Sequence, residues 1–124
     1  MFTQLHQWEQ TEQVLSLVSG RWPLIVLAAL TERPRRFSEL LHEIDYQLSN
    51  VALGRALQQL EDAKLITRHV LSDQPRAVQY QQTTAGTDLL TALGTATQTW
   101  LHQHQDDIDL AAAHRTRGHR PGRN

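Results

Sequence analysis

Ser49, Asn50, Val51, Arg55 and Gln58 fall within one short run, SNVALGRALQQ, and their types match what a DNA major groove offers. Arginine pairs with the guanine edge, asparagine or glutamine with the adenine edge, and an apolar group meets the thymine methyl. Leu53, Leu57 and Leu60 recur among them at helical spacing and share one face, while Val51, Arg55, Gln58 and Asp62 fall opposite. Ser49 stands where an N-cap would stand, its hydroxyl able to accept from a free backbone N–H. A helix over residues 49–63 that buries its leucines would offer these five side chains outward as base contacts. The same stripe also describes an ordinary amphipathic core helix, and these residues alone leave both readings open.

A second set of residues suits phosphate rather than base edges. Arg35 and Arg36 precede a short helix starting at Ser38, and both could clamp the backbone that the Ser38 N–H groups face; as surface arginines they would simply be solvated. Arg76 stands at the tip of a hairpin, in reach of phosphate or the minor groove. Arg68 and Lys64 suit the same role, or an acid partner. Gly54, inside the helix, costs about 1 kcal/mol relative to alanine, and either close approach to DNA or tight packing would account for it.

The elements that would position these groups follow from periodicity. Thr3 to Val18 reads as a helix with Leu5, Trp8, Leu15 and Val18 near one stripe, ended by Ser19-Gly20. Pro23 suits the first turn of a second helix, Trp22 to Thr31, whose LIVLAAL run predicts burial. Arg33-Pro34 breaks it. The helix from Ser38 has Glu39 at the favourable end of its dipole and turns Leu40, Leu41 and Ile44 inward. Asp45-Tyr46-Gln47 is a turn leading to the helix at Ser49. After Leu65 the period becomes that of strands, Ile66–Leu71 and Val78–Gln81, with a turn over 72–76. Thr83 or Thr84 then caps a long helix running to His104. Leu89, Leu90, Leu93, Ala96, Trp100 and Leu101 occupy more than one of its faces, so a second subunit is expected to cover part of it.

The chain of 124 residues suffices for one domain with a real core, placed at residues 1–105, followed by a polar, basic, flexible tail over 106–124. Net charge is −1, but residues 111–124 carry four arginines and no acid, and seven of the other eight basic residues lie between positions 33 and 76. A basic middle with acidic flanks suits a local binding face. The tail arginines Arg115, Arg117, Arg120 and Arg123 would add nonspecific, salt-dependent affinity or only solubility. With no cysteine there is no disulfide, thiolate metal site or thiol switch. The apolar run Leu24–Leu30 is too short to span a membrane and no leader is evident, so a cytoplasmic location is expected.

Trp8, Trp22 and Trp100 admit two readings, plain core or the lining of a small-molecule effector pocket between helices of a dimer. His102 and His104 do not share a helix face, and Asp106, Asp107 and Asp109 read as a frayed acidic helix end, so neither metal nor cofactor is expected. Gly-rich phosphate loops, nucleophile elbows and HExxH are all absent from the sequence, which argues against an enzyme.

Helix, short helix, turn, helix, hairpin, helix is the order of a winged helix-turn-helix, a mainly α chain with a small β-hairpin (α+β). Four strings sharpen this. SGRWPLIVLAAL resembles the GKW-plus-aliphatic helix of the HxlR family of bacterial regulators, RPRRFSELLHEI its PRRFSEL segment, LSNVALGRALQQLEDAKLI its recognition helix, and VLSDQPRAVQYQQTTAGTDLL its wing and Thr-x-x-Gly helix start, here Thr83 and Gly86. The resemblance covers residues 12–104 and implies a homodimeric, sequence-specific binder of double-stranded operator DNA that dimerises through its N- and C-terminal helices and regulates, as a repressor, transcription. It places the recognition helix in the major groove and the wing, residues 66–82, on the flanking backbone or minor groove. Members respond to oxidants, electrophiles or other small molecules, many through a cysteine in the first helix; here Glu9 stands near that position. The rival reading is a winged helix used for protein–protein docking without DNA contact.

Overall fold

A computed structural model describes residues 2–44 and 47–113. The turn expected at Asp45-Tyr46 and the tail arginines from Arg115 onward lie outside these residues. Eight elements follow in order: α1 (Phe2–Ser16), α2 (Pro23–Ala29), β1 (Arg35–Arg36), α3 (Phe37–Ile44), α4 (Asn50–Asp62), β2 (Ile66–Asp73), β3 (Arg76–Gln82) and α5 (Thr84–His104).

Helix α4 is built as its sequence dictates. Leu53, Ala56, Leu57 and Leu60 are buried, and each leucine so removed from water stabilises the fold by roughly 1.5–3 kcal/mol. The Ser49 hydroxyl accepts from the Ala52 backbone N–H at 3.0 Å, capping the N-terminus. At the other end the Lys64 N–H donates to the Glu61 carbonyl and the Leu65 N–H to the Leu60 carbonyl, each at 3.0 Å. That is a Schellman ending, and it holds Lys64 at φ 64, a conformation usually given to glycine. Helix α2 contacts α4, and Val26, Leu27 and Leu30 of the α2 segment, Leu40 of α3, Val18, Leu48, Leu65 and Ile66 are buried with the α4 leucines in the core.

Two expectations from periodicity change in the folded chain. The apolar run of α2 buries only one face: Leu24 and Ile25 are exposed. A seven-residue helix at the edge of a core touches it along one stripe, however apolar the rest. Helix α1 is exposed at Leu5, Trp8, Val14 and Leu15, while Val18, beyond its end, is buried. Gly20, at φ 109, makes the turn between the two helices, and Pro23 takes the first helical position of α2.

The expected hairpin is present and longer than predicted. Its strands pair from Ile66 opposite Gln82 to Asp73 opposite Arg76, with a bulge between Val70 and Ser72. It is also part of a three-stranded antiparallel sheet, order β1-β3-β2, because Arg35 pairs with Tyr80 and Arg36 with Gln79. Two residues carry no readable period, so β1 is invisible until its partner strand is in place.

Thr83 fixes the start of α5. Its hydroxyl donates to the Lys64 carbonyl at 2.9 Å and accepts from the Gly86 N–H at 3.1 Å, while its own N–H donates to the Leu65 carbonyl at 3.0 Å. Contacts divide the chain into two units between Thr91 and Ala92, inside α5. In the second unit Trp100 stacks at a tilt against His104, and residues 110–113 form a further helical turn.

Candidate nucleic-acid interface

Opposite its buried leucines, α4 presents Asn50, Val51, Arg55 and Gln58 to solvent, with the Ser49 cap exposed beside them. Val51, a large apolar group, is 62 % exposed. Gln58 donates through Nε2 to Asp62 Oδ1 at 2.8 Å, so one of its two functional atoms is engaged along the helix. Gly54 lies on this side too, and a methyl group added there would meet nothing within 4 Å. Tight packing, one of the two explanations for a glycine in mid-helix, is thereby removed.

Ion pairing sorts the basic residues into two groups. Arg21 donates to Gln47 Oε1 at 2.9 Å and lies 4.7 Å over the Trp22 ring. Arg33 pairs with Glu39 at 3.2 Å and Arg35 with Glu43. Arg36, Arg55, Lys64, Arg68 and Arg76 are exposed, and among the described residues no carboxylate pairs with any of them. An arginine left without an internal partner keeps its donors available for phosphate or base.

Arg35 corrects the sequence reading. Expected as a phosphate clamp, it is only 9 % exposed. Its Nε donates to the carbonyl of Ala29, the last residue of α2, at 2.8 Å, and its Nη1 to Glu43 Oε1 of α3. A cation here satisfies an orphan carbonyl at a helix C-terminus and opposes the negative end of the dipole. The cause is strand alternation: within β1 one arginine must face inward and the next outward. Arg36 takes the outward position, and exposed Ser38 follows in the first turn of α3. Glu39 closes that turn. Its Oε1 accepts from the Arg36 backbone N–H at 2.8 Å, and this bond, with the Arg33 guanidinium, holds its carboxyl below the ordinary carboxylate range.

On the sheet, Arg68 of β2 lies directly opposite Tyr80 of β3, and Arg76 opens β3 opposite Asp73, next to the two-residue loop Gln74-Pro75. At the base of the wing an open cleft of 450 Å³ gathers Lys64, Arg68, His69 and Glu61.

Two glutamines that sequence patterning passed over hold these parts together. Gln59 donates to the Leu17 and Ser19 carbonyls at 3.1 and 3.0 Å, tying α4 to the end of α1. Gln82 donates to the Leu27 carbonyl at 2.7 Å and accepts from the Thr87 hydroxyl, tying β3 to α2 and α5. Neither type nor spacing marks them, because their partners are distant carbonyls.

Of the three tryptophans offered as a pocket, Trp8 is 64 % and Trp100 48 % exposed, so neither is core within its own chain. Trp22 is half-buried under Arg21. Neither the cleft at the wing base nor a smaller one of 190 Å³ beside Pro34 includes any of them.

Known proteins share the fold of this chain. A model described as HxlR-like helix-turn-helix matches residues 17–109. The chain belongs to the HxlR-like helix-turn-helix family. The HTH-type transcriptional regulator YodB of Bacillus subtilis (strain 168) is 33 % identical over 92 residues, which are 74 % of this chain and 80 % of that protein. The structure of reduced YodB superposes with a TM-score of 0.69 at 31 % identity, covering 81 % of this chain and 96 % of that one. A MarR-family regulator from Enterococcus faecalis V583 shares the fold, with a TM-score of 0.73 at 24 % identity over 80 % of this chain and 89 % of that one. As an HxlR-type protein the chain is a transcriptional regulator of winged-helix type and not an enzyme, and its family implies DNA binding. No helix among the described residues is long and apolar enough to cross a membrane.

Proposed function

We propose that this HxlR-type regulator is a cytoplasmic repressor that binds operator DNA as a homodimer, with α4 of each copy in the major groove. The observation that carries this reading is the sorting of cations. Among the described residues no carboxylate pairs with Arg55 or the exposed arginines around it, whereas the arginines that serve the fold are paired or buried. Ser49, Asn50, Val51, Arg55 and Gln58 meet base edges; Arg36, Ser38, Arg68 and Arg76 meet phosphates. The bared apolar side chains Leu5, Trp8, Val14 and Leu15 of α1, and Trp100 of α5, are covered by the second copy. Any effector acts without thiol chemistry, since the sequence holds no cysteine.

Genomic fragments selected by the purified protein supply the operator. Three phosphate-contacting arginines per copy, six in the dimer, predict a slope of log affinity against log salt of roughly −5. Arg55→Ala is expected to weaken operator binding by about 1–3 kcal/mol per half-site and to relax preference at one base pair in each. Equal loss on every sequence would make Arg55 a phosphate contact. A salt-independent interaction, or none with any duplex, would favour a protein-docking wing instead. Light scattering at micromolar concentration is expected to give twice the chain mass, and protected half-sites should lie about one helical turn apart; a monomer would sink the dimer.

A further inference from the structure

Glycine appears in the described helices for reasons that differ sharply. Gly86, at the start of α5, sits where an added carbon would collide with the Leu65 carbonyl. At Gly54 of α4 the same carbon would meet nothing within 4 Å, and at Gly94 of α5 nothing either. Gly54 also has ordinary helical backbone, because only Gly20 among the described glycines has positive φ. The position along this segment whose backbone does favour glycine, Lys64 at φ 64, holds a lysine. So α4 carries its one glycine where neither conformation nor packing within the chain asks for it, in a helix that alanine would strengthen.

What surrounds Gly54 supplies a reason. Asn50 and Gln58 lie one helical turn before and after it, Val51 three residues before and Arg55 directly after. All four are exposed, so Gly54 forms a bare notch of backbone framed by the side chains of the proposed reading face. We propose that Gly54 is a specificity-determining residue at which the α4 backbone makes its closest approach to the duplex, the notch receiving a base edge of the major groove. The proposal rests on the DNA-binding reading above. In the absence of a side chain the helix can seat deeper, bringing the short Asn50 side chain within reach of its base. A β-carbon at this point would hold the helix off and lengthen the contacts on either side. Glycine is used in this way elsewhere when a backbone must come close to a ligand.

Gly54→Ala gives a test in which stability and binding move in opposite directions. The variant is expected to melt about 4 °C higher than the wild type, because alanine removes the entropic cost of glycine in mid-helix. On the selected operator it is expected to bind at least about tenfold more weakly, the scale of loss when a methyl group is forced into a packed contact. Gly54→Ser, also small and polar, should likewise bind more weakly than the wild type. Wild-type affinity in either variant would overturn the proposal while leaving the DNA-binding reading intact. A fall in melting temperature for Gly54→Ala would also overturn it, because it would expose a packing role within the chain. Failure of the wild type to bind any duplex would remove both.

Discussion

Gly86→Ala is expected to destabilise the protein by about 2–3 kcal/mol, read as a lower urea midpoint at unchanged slope. Its β-carbon would fall well inside contact distance of the Leu65 carbonyl oxygen and 3.3 Å from Leu27 Cδ1. The carbonyl cannot turn aside. It accepts from the Thr83 N–H at 3.0 Å, and the neighbouring Lys64 carbonyl accepts the Thr83 hydroxyl at 2.9 Å. Relief must come from moving the start of α5 as a whole, which breaks the Gly86 N–H bond to Thr83. The helix propensity gained by alanine, about 1 kcal/mol, is smaller than this strain. The same substitution is therefore expected to weaken the fold at Gly86 and strengthen it at Gly54. An unchanged midpoint for Gly86→Ala would mean that α5 is not docked on the Lys64-Leu65 turn.

Arg35→Ala and Arg36→Ala are expected to separate stability from DNA binding at adjacent positions. Loss of Arg35 leaves the Ala29 carbonyl without its donor and strips Glu43 of its partner, at a cost of about 2–3 kcal/mol. The estimate stays below that for a fully buried pair because the Glu43 side chain is 43 % exposed and can hydrate. Lysine should not restore it, since a single ammonium cannot serve two acceptors in the fork geometry of the guanidinium. Arg36→Ala should leave stability within about 0.5 kcal/mol, as expected for an exposed side chain with no carboxylate partner among the described residues. It should lower the salt slope on operator DNA by roughly 2, one phosphate per copy. A reversed pattern, with Arg36 needed for folding and Arg35 for salt-dependent binding, would refute the inward and outward assignment in β1.

Arg35 and Arg36 are alike in sequence and unlike in the fold. Both are basic, adjacent and ahead of a helix, and nothing local distinguishes them. Their fates are set by pairing with Tyr80 and Gln79 on a strand far along the chain. Glu39, by contrast, was readable at the N-terminal end of α3, because its partners lie three and six residues away. The tryptophans show a related limit. Periodicity placed Trp8 and Trp100 on apolar stripes, but a stripe does not say whether its cover comes from the same chain.

Local physical chemistry established most of this protein. The leucine spacing of α4, the Ser49 cap, the break at Gly20 and the change of period after Leu65 each act over a few residues, so composition and order suffice to specify them. The outward set Asn50, Val51, Arg55 and Gln58 follows from the same helical geometry. Long-range pairing established the rest: the burial of Arg35, the third strand, the glutamine tethers and the different reasons for Gly54 and Gly86. Each of these depends on which backbone carbonyl or strand lies opposite. That is fixed when distant segments close on one another, and residue type alone carries no record of it.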